Sequence, residues 1–392
     1  MYTYRYLIVG GGMAGAAAAL GIREVDREGT LGLLSAERDP PYNRPPLSKG
    51  LWQGKPLESI FRNLEGVDLH LGRRAVRLDP VLKEVEDERG ARYRYERLLL
   101  ATGARPRRLP LGEGVVYFRT LEDYRRLRGL AERGRRFAVI GGGFIGQELA
   151  AALRGLGKEV VLLFPEEGLG ERLFPRDLAR FLVDFYRERG VEVRPKTLVT
   201  GLEQVGEGLR LRLSNGEALE VDGAVAGVGV EPETGLLEPL GLPPGVGIPV
   251  DEEGRVLLGG RPLEEVYAAG DVALFYSPAL GRWMRVEHED HANTHGLRVG
   301  RNMAGEKAPY HHLPFFYSDL FELGYEAVGL LDPRLETVAD WKEPYREGVI
   351  YYLEGHRVRG VLLWNAWNRV ERARELIAEK GPHFPDALKG RL

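Results

Sequence analysis

Residues 6–20 read YLIVGGGMAGAAAAL, and the architecture of the chain follows from them. An apolar run with the look of a strand leads into Gly10, Gly12 and Gly15, and an alanine-rich run with the look of a helix follows. Glycines at G-x-G-x-x-G between a strand and a helix allow a tight turn and let a pyrophosphate reach the backbone. The helix N-terminus adds free N–H groups and partial positive charge. The same device recurs at residues 137–153, FAVIGGGFIGQELAAAL, with Gly141, Gly143 and Gly146. Two such units predict an α/β fold with two Rossmann-like domains and two bound dinucleotides.

Each unit has an acid where ribose hydroxyls need an acceptor. Glu37 lies 22 residues after Gly15, just past a strand at Leu31–Ser35, and Glu166 lies 20 residues after Gly146, past a strand at Glu159–Phe164. Between the units, PPYNRPPLSKG (residues 40–50) is too rich in proline to be helical before Leu47. Strand-like pieces follow at Ala75–Leu78, around a hairpin turn at Arg89–Gly90, and at Leu98–Ala101 leading into Thr102 and Gly103. A basic helical stretch covers Leu121–Arg136, an amphipathic helix Asp177–Arg189, and Asn215–Gly216 turns a hairpin between Leu209–Leu213 and Ala218–Val221. A helix is predicted to begin near His288. After Pro314, short β-rich runs at Ala327–Leu330, Gly348–Leu353 and Val358–Trp364 precede a helix at Arg369–Ala378, an α+β tail. The expected division is a discontinuous first domain (residues 1–113 and 235–313), a second nucleotide domain (114–234) and the tail (314–392).

Composition narrows the chemistry. The net charge is −3 from 55 Lys and Arg against 58 Asp and Glu, which argues against general nucleic-acid or acidic-membrane binding. No apolar run is long enough to span a bilayer, and the first strand starts within a few residues of Met1, so no leader and a cytoplasmic location are expected. There is no cysteine, which excludes disulfides, iron–sulfur ligation and thiol catalysis. His288, His291 and His295 lack the His-Glu-x-x-His order of a zinc helix, because Ala292 stands where a second His would be required. No metal is expected. The run Arg125–Arg136 reads as a solvated helix face, with docking of an acidic protein as the alternative.

Six further segments carry a family resemblance: PPYNRPPLSK (Pro40–Lys49), LLLATGARPR (Leu98–Arg107), VYAAGDVA (Val266–Ala273), RVEHEDHA (Arg285–Ala292), FFYSDLFELGYEAVGLLD (Phe315–Asp332) and VLLWNAWNRV (Val361–Val370). With the two fingerprints, nearly the whole chain resembles the FAD-dependent pyridine nucleotide oxidoreductases. The nearest subgroup is that of single-chain NAD(P)H:ferredoxin/rubredoxin reductases and apoptosis-inducing factor. The resemblance implies a glutathione-reductase-like fold with an α+β interface domain.

It also implies the sites. FAD would meet Gly10, Gly12, Met13, Ala14 and Gly15 of the first fingerprint, with Glu37 on its ribose and Val76 near the adenine. Arg44, Lys49 and Arg119 would contact it, as would Ala101, Thr102 and Gly103. Gly270 and Asp271 would hold the ribityl chain, and His288, Glu289 and Tyr317 would border the flavin. NAD(H) would meet Gly141, Gly143, Phe144, Ile145 and Gly146, with Glu166, Arg172 and Gly229 around its ribose and phosphates. Glu287, His288, Glu326 and Asn368 would complete the nicotinamide side. Lys49 paired with Glu148 would stand near flavin N5, Phe144 would cover the flavin until the nicotinamide displaces it, and Tyr317 occupies the place of a family tryptophan. Glu289 stands where the apoptosis-inducing factor group that the segment resembles has another His, and a carboxylate pointing inward there would disfavour a negatively charged flavin.

The implied activity is hydride transfer from NADH to FAD, then release to an external acceptor. With no cysteine on the chain, electrons would leave from the flavin itself. A ferredoxin or rubredoxin is the first choice, a quinone or oxygen the second. The rival is a redox-responsive binding protein holding a long-lived FADH2–NAD charge-transfer complex, as in apoptosis-inducing factor, and the resemblance also admits a homodimer. The regulatory insert of that factor is missing around Trp341–Arg346.

Glu166 beside the ribose would repel a 2′-phosphate by up to roughly 4 kcal/mol per charge pair at about 4 Å, with Arg172 as a partial offset. The expected outcome is a higher kcat/KM with NADH than with NADPH in steady-state assays; equal values would remove the role given to Glu166.

Overall fold

The strand Tyr2–Val9 buries residues on both its faces: Leu7 and Val9 join one apolar cluster, Tyr6 and Ile8 another. A strand covered on both sides belongs at the centre of a parallel sheet. In the computed structural model, which describes residues 1–392, it pairs in parallel with Leu31–Ser35 and with Arg92–Leu100. The sheet order is Arg255–Leu258, Arg261–Ala268, Arg92–Leu100, Tyr2–Val9, Leu31–Ser35, Asp68–Leu71. A hairpin, Ala75–Asp79 with Glu84–Asp87, is attached to Arg92–Leu100.

The chain divides into two compact units. The first holds Met1–Arg44, Leu57–Arg105 and Glu231–Pro314; the second holds Pro45–Pro56, Pro106–Val230 and Phe315–Leu392.

In the first unit the fingerprint helix Met13–Val25 crosses the helix Glu289–Met303 at close range because glycines line the crossing. A Cβ on Gly296 would lie 3.0 Å from the carbonyl carbon of Ala14, and one on Gly300 would lie 2.8 Å from that of Ala18. His288 stands at the N-cap of the later helix, so the predicted start near His288 holds to within a residue.

In the second unit a five-stranded parallel sheet runs Glu192–Arg194, Glu159–Leu163, Arg136–Ile140, Gly223–Ala226, Val115–Tyr117. The second fingerprint helix is Phe144–Gly155, and the amphipathic helix is Arg176–Glu188. Helix Leu121–Arg133 ends three residues before the predicted Arg136, because Arg136 is drafted into the central strand. The hairpin at Asn215–Gly216 forms as read.

The tail is a five-stranded antiparallel sheet in the order Phe315–Leu320, Leu323–Gly329, Arg357–Trp364, Glu347–Glu354, Glu336–Glu343, with helix Val370–Ala378 laid against it. It belongs to the same unit as the second nucleotide fold: Phe174 packs edge-on against Tyr325 and Trp364, and Tyr352 Oη donates to the Leu173 carbonyl at 2.5 Å.

One local reading needs correction. The proline-rich segment is helical before Leu47: a 3-10 turn covers Pro45–Ser48. Proline is tolerated in a first turn, where its missing N–H has no partner to lose.

A bulky side chain at the glycine-lined crossing has nowhere to go. Gly300→Leu is expected to destabilise the first unit by about 1–3 kcal/mol or more, read as a lowered midpoint in thermal or urea denaturation followed by circular dichroism.

Candidate functional site

The two fingerprints adopt one geometry and divide the labour of their glycines alike. Gly10 and Gly141 both have φ of 121°, and a Cβ there would strike the carbonyls of Ala101 and Gly227. Gly15 and Gly146 close the helix onto the carbonyls of Gly10 and Gly141. The middle glycines face open space: the nearest atom to a Cβ on Gly12 is Arg44 Nη2 at 4.0 Å, and nothing lies within 4 Å of one on Gly143. Gly12 and Gly143 cap their helices without any side-chain bond. Each helix therefore keeps its first N–H groups for a ligand, and each has room for a phosphate at the middle glycine.

In the first unit, Arg44 stands over Gly12. Its Nη2 donates to Glu37 Oε2 at 2.9 Å and its Nη1 to Tyr42 Oη at 3.0 Å, while Tyr42 Oη donates to Glu37 Oε1 at 2.5 Å. Burial works against the guanidinium charge, yet Tyr42, Glu37 and Asp271 together raise its pKa above the ordinary value. A fixed cation over an open glycine and a bare helix end suits a pyrophosphate. Thr102 Oγ1 donates to the Glu233 carbonyl at 2.6 Å, Gly103 takes a positive φ of 67°, and the Ala101 N–H binds the Val9 carbonyl, so the turn after strand Arg92–Leu100 is fixed. Val76 sits half-exposed at a bulge of the attached hairpin.

Residues 270–289 are tied by partners that no local pattern announces. The Gly270 N–H donates to His295 Nδ1 at 3.2 Å, and Arg285 Nη1 donates to the Asp271 carbonyl at 2.9 Å while also pairing with Glu287. Glu289 lies in the first turn of its helix with Arg62 as electrostatic partner; burial lowers the Arg62 pKa and Glu289 opposes that shift. Arg62 also donates to the Met13 carbonyl at 3.1 Å, to Asn43 Oδ1 at 2.8 Å and to Asn293 Oδ1 at 2.5 Å. The histidines that resembled metal ligands serve packing and hydrogen bonding. His291 meets Tyr310 Oη at 2.9 Å and stacks on Phe275, and burial, followed by His288 and His312, pushes its pKa down to about 3.

In the second unit, Lys49 and Glu148 do meet. Lys49 Nζ lies 2.9 Å from Glu148 Oε2, with the lysine side chain 17% and the glutamate 1% exposed. Ser48 Oγ donates to Glu148 Oε1 at 2.6 Å and Ser318 Oγ to Oε2 at 2.5 Å, two partners absent from the sequence reading. Trp52 Nε1 donates to the Leu47 carbonyl at 2.7 Å, with Tyr124 edge-on and Arg128 over its ring, which anchors the segment carrying Lys49. The Tyr317 ring centre lies 5.1 Å from Lys49 Nζ, within cation–π range. The negative charge of Glu148 registers on its neighbours: burial first, then Glu148, raises the pKa of both Tyr186 and Tyr325. Phe144 opens the fingerprint helix beside Ile145, its ring 6.5 Å from that of Phe316.

Glu166 keeps a buried Oε2 with no hydrogen-bond partner, just past the strand Glu159–Leu163. Arg172 is exposed on the neighbouring loop, and Gly229, with φ of 97°, gives its carbonyl to the Arg107 N–H. The Arg119 N–H binds the Asp123 carboxylate at the capping box of helix Leu121–Arg133. Glu326 pairs across the tail sheet with Tyr317, and burial raises its pKa; Asn368 is exposed with φ of 62°.

Known proteins resemble this chain over nearly its whole length. Residues 4–296 match the pyridine nucleotide-disulphide oxidoreductase family, and residues 299–344 and 340–379 match the C-terminal domain of mitochondrion-associated apoptosis-inducing factor. The chain belongs to the pyridine nucleotide-disulphide oxidoreductase family. It is 36% identical to a 5,5′-dehydrodivanillate O-demethylase ferredoxin reductase subunit of Sphingobium sp., covering 90% of this chain and 88% of that one. It is 33% identical to mitochondrial apoptosis-inducing factor 1 of Dictyostelium discoideum, covering 96% and 79%. Among solved structures, the covalent putidaredoxin reductase–putidaredoxin complex matches with a TM-score of 0.90 at 30% identity, covering 99% and 96%. The protein is an FAD-dependent NAD(P)H oxidoreductase, and its cofactors are FAD and NAD(H). The disulphide of the family name has no counterpart on a chain without cysteine.

Removing the Glu148 carboxylate strands Lys49 and two serine hydroxyls. Glu148→Ala is expected to destabilise by on the order of 3 kcal/mol and Glu148→Gln by less, because its amide keeps hydrogen-bonding capacity; urea denaturation of the two variants checks the order.

Proposed function

We propose that the protein takes a hydride from NADH onto FAD and passes the electrons to a small iron–sulfur or rubredoxin-type carrier. The observation that carries this reading is the pair of open, uncapped fingerprint helices on a chain that also holds a buried Lys49–Glu148 pair and no cysteine. Bound FAD supplies a two-electron acceptor for the nicotinamide hydride and a donor to an external carrier.

The residues bind, orient and balance charge. Gly10, Gly12 and Gly15, with Arg44 above them, hold the flavin nucleotide's pyrophosphate, and Glu37 takes its ribose hydroxyls. Asp271, fixed through Gly270 and Arg285, receives the ribityl hydroxyls. Gly141, Gly143 and Gly146 hold the NAD(H) pyrophosphate, and Glu166 accepts its ribose hydroxyls. Lys49 provides the cation for flavin N5. Glu148, steadied by Ser48 and Ser318, fixes where that cation stands and exchanges no proton. Tyr317 offers Lys49 an aromatic face, and Phe144 acts as the gate for the nicotinamide. Arg62, the electrostatic partner of Glu289, tempers the effect of that carboxylate on negative charge at the flavin.

The names of the relatives support the choice of acceptor, since they include ferredoxin reductases of oxygenase systems and a reductase solved in complex with its carrier. A second reading has one observation in its favour, the tail's match to apoptosis-inducing factor. In that reading the reduced complex persists and signals by binding. A cytoplasmic location is part of the proposal. No helix is long and apolar enough to cross a membrane.

An anaerobic NADH titration of the purified protein, followed by mixing with ferredoxin, rubredoxin, a quinone or air, separates the readings. The expected outcome is bleaching of the flavin by one equivalent of NADH and fast reoxidation by one carrier. A long-wavelength band that none of them discharges would favour the binding protein.

A further inference from the structure

We propose that His295 is a positioning residue for the flavin site, holding the Gly270–Asp271 turn in place by accepting the Gly270 N–H. The inference rests on the assignment of Asp271 to the flavin. His295 stands outside every motif that suggested the site, one turn beyond His291 on the helix Glu289–Met303. Its Nδ1 takes the Gly270 N–H at 3.2 Å, and the residue is 1% exposed.

The Ala269 N–H binds the Leu100 carbonyl and the Ala273 N–H the Gly270 carbonyl, while the Gly270 N–H is taken by His295. Gly270 is buried, takes φ of 83°, and has Ala14 of the fingerprint helix on its side-chain face, where a Cβ would come within 2.5 Å of the alanine Cβ. Its N–H therefore cannot turn to solvent, and without an acceptor it would be a buried orphan. Arg285 grips the other end of the turn at the Asp271 carbonyl. Asp271 is thus carried by a peptide segment pinned at one end by His295 and at the other by Arg285.

The chemistry of the imidazole fits the task. A ring nitrogen that accepts an N–H must be unprotonated, so the single proton of the neutral ring sits on Nε2. Burial, and then His291, keeps the ring neutral by holding its pKa well below the ordinary value. His295 also lines a cavity of about 230 Å³ with Phe275, Tyr310 and Trp283. Gly296 sets the distance: it lets the helix close on the Ala14 carbonyl and brings His295 to Gly270.

The test compares His295→Asn, His295→Gln and His295→Leu with wild type by titrating FAD into the deflavinated protein and following flavin fluorescence. The amide oxygen of Asn overlays the Nδ1 position, whereas that of Gln lies farther along the side chain. Leu is expected to weaken FAD binding by about tenfold or more, as loss of a buried acceptor does, and Asn to return it to within about threefold of wild type. Wild-type affinity in the Leu variant, or an Asn variant no better than Leu, overturns the proposal. Should the Leu variant fail to fold, Asn against Gln decides: Asn binding FAD more tightly supports the proposal, and equal affinity overturns it. Asp271→Ala separates the two claims. Tight binding there overturns the role of Asp271 and with it the proposal that rests on it; weak binding there with wild-type affinity in the Leu variant overturns His295 alone.

Discussion

A carboxylate that is 1% exposed cannot be left unanswered, and much of the second unit is arranged around answering that of Glu148. Its three partners come from two distant parts of the chain: Ser48 and Lys49 stand about 100 residues before it and Ser318 stands 170 after. One ion therefore fixes the proline-rich segment, the second fingerprint helix and the first strand of the tail together. That explains why Pro45–Pro56 belongs to the second unit although its neighbours in sequence belong to the first. The cost of burying the charge is met by one cation and two hydroxyls, and the same arrangement leaves Lys49 with a fixed position and an aromatic neighbour in Tyr317.

The fingerprints work by the opposite logic, in which groups are left unanswered. Two helices begin without a capping side chain, and two glycines face empty space. A native structure keeps such ends only where something else satisfies them. The two fingerprints thus stand out as unspent hydrogen-bonding capacity, whereas the lysine–glutamate pair is capacity fully used.

What could be read in advance divides along a physical line. The strands, the fingerprint helices and the Asn215–Gly216 hairpin were legible because period, glycine spacing and turn chemistry act over a few residues. The Lys49–Glu148 pair came only through resemblance, since nothing local links the two. The partners of Ser48, Ser318, Arg62, Arg285 and His295 were missed, although His295 had been weighed as a metal ligand and set aside. Each is an ordinary polar residue whose meaning comes from a partner brought close by the fold, such as Asn293 for Arg62, 231 positions away. The early start of the 3-10 turn at Pro45 was misread because proline was taken as a barrier throughout, when its effect depends on where in a turn it stands. Glu289 has an electrostatic partner in Arg62, a neighbour that nothing in the local sequence announces.

The segment Pro45–Pro56 also has a consequence for how the chain is made. During synthesis Lys49 leaves the ribosome early, but its counter-ion follows about a hundred residues later and the last hydroxyl of the cluster only at Ser318. Until then the segment has no finished place to dock, and the strands on either side of it can pair without it. Domains that emerge whole can fold in order as they appear; here neither unit is contiguous, and the ion cluster of the second can close only when most of the protein has been translated. Vectorial folding of this chain must therefore carry the Lys49 loop without its counter-ion until Glu148 appears, and without a finished cluster until Ser318, a burden that a gene encoding either unit as one uninterrupted stretch would not have.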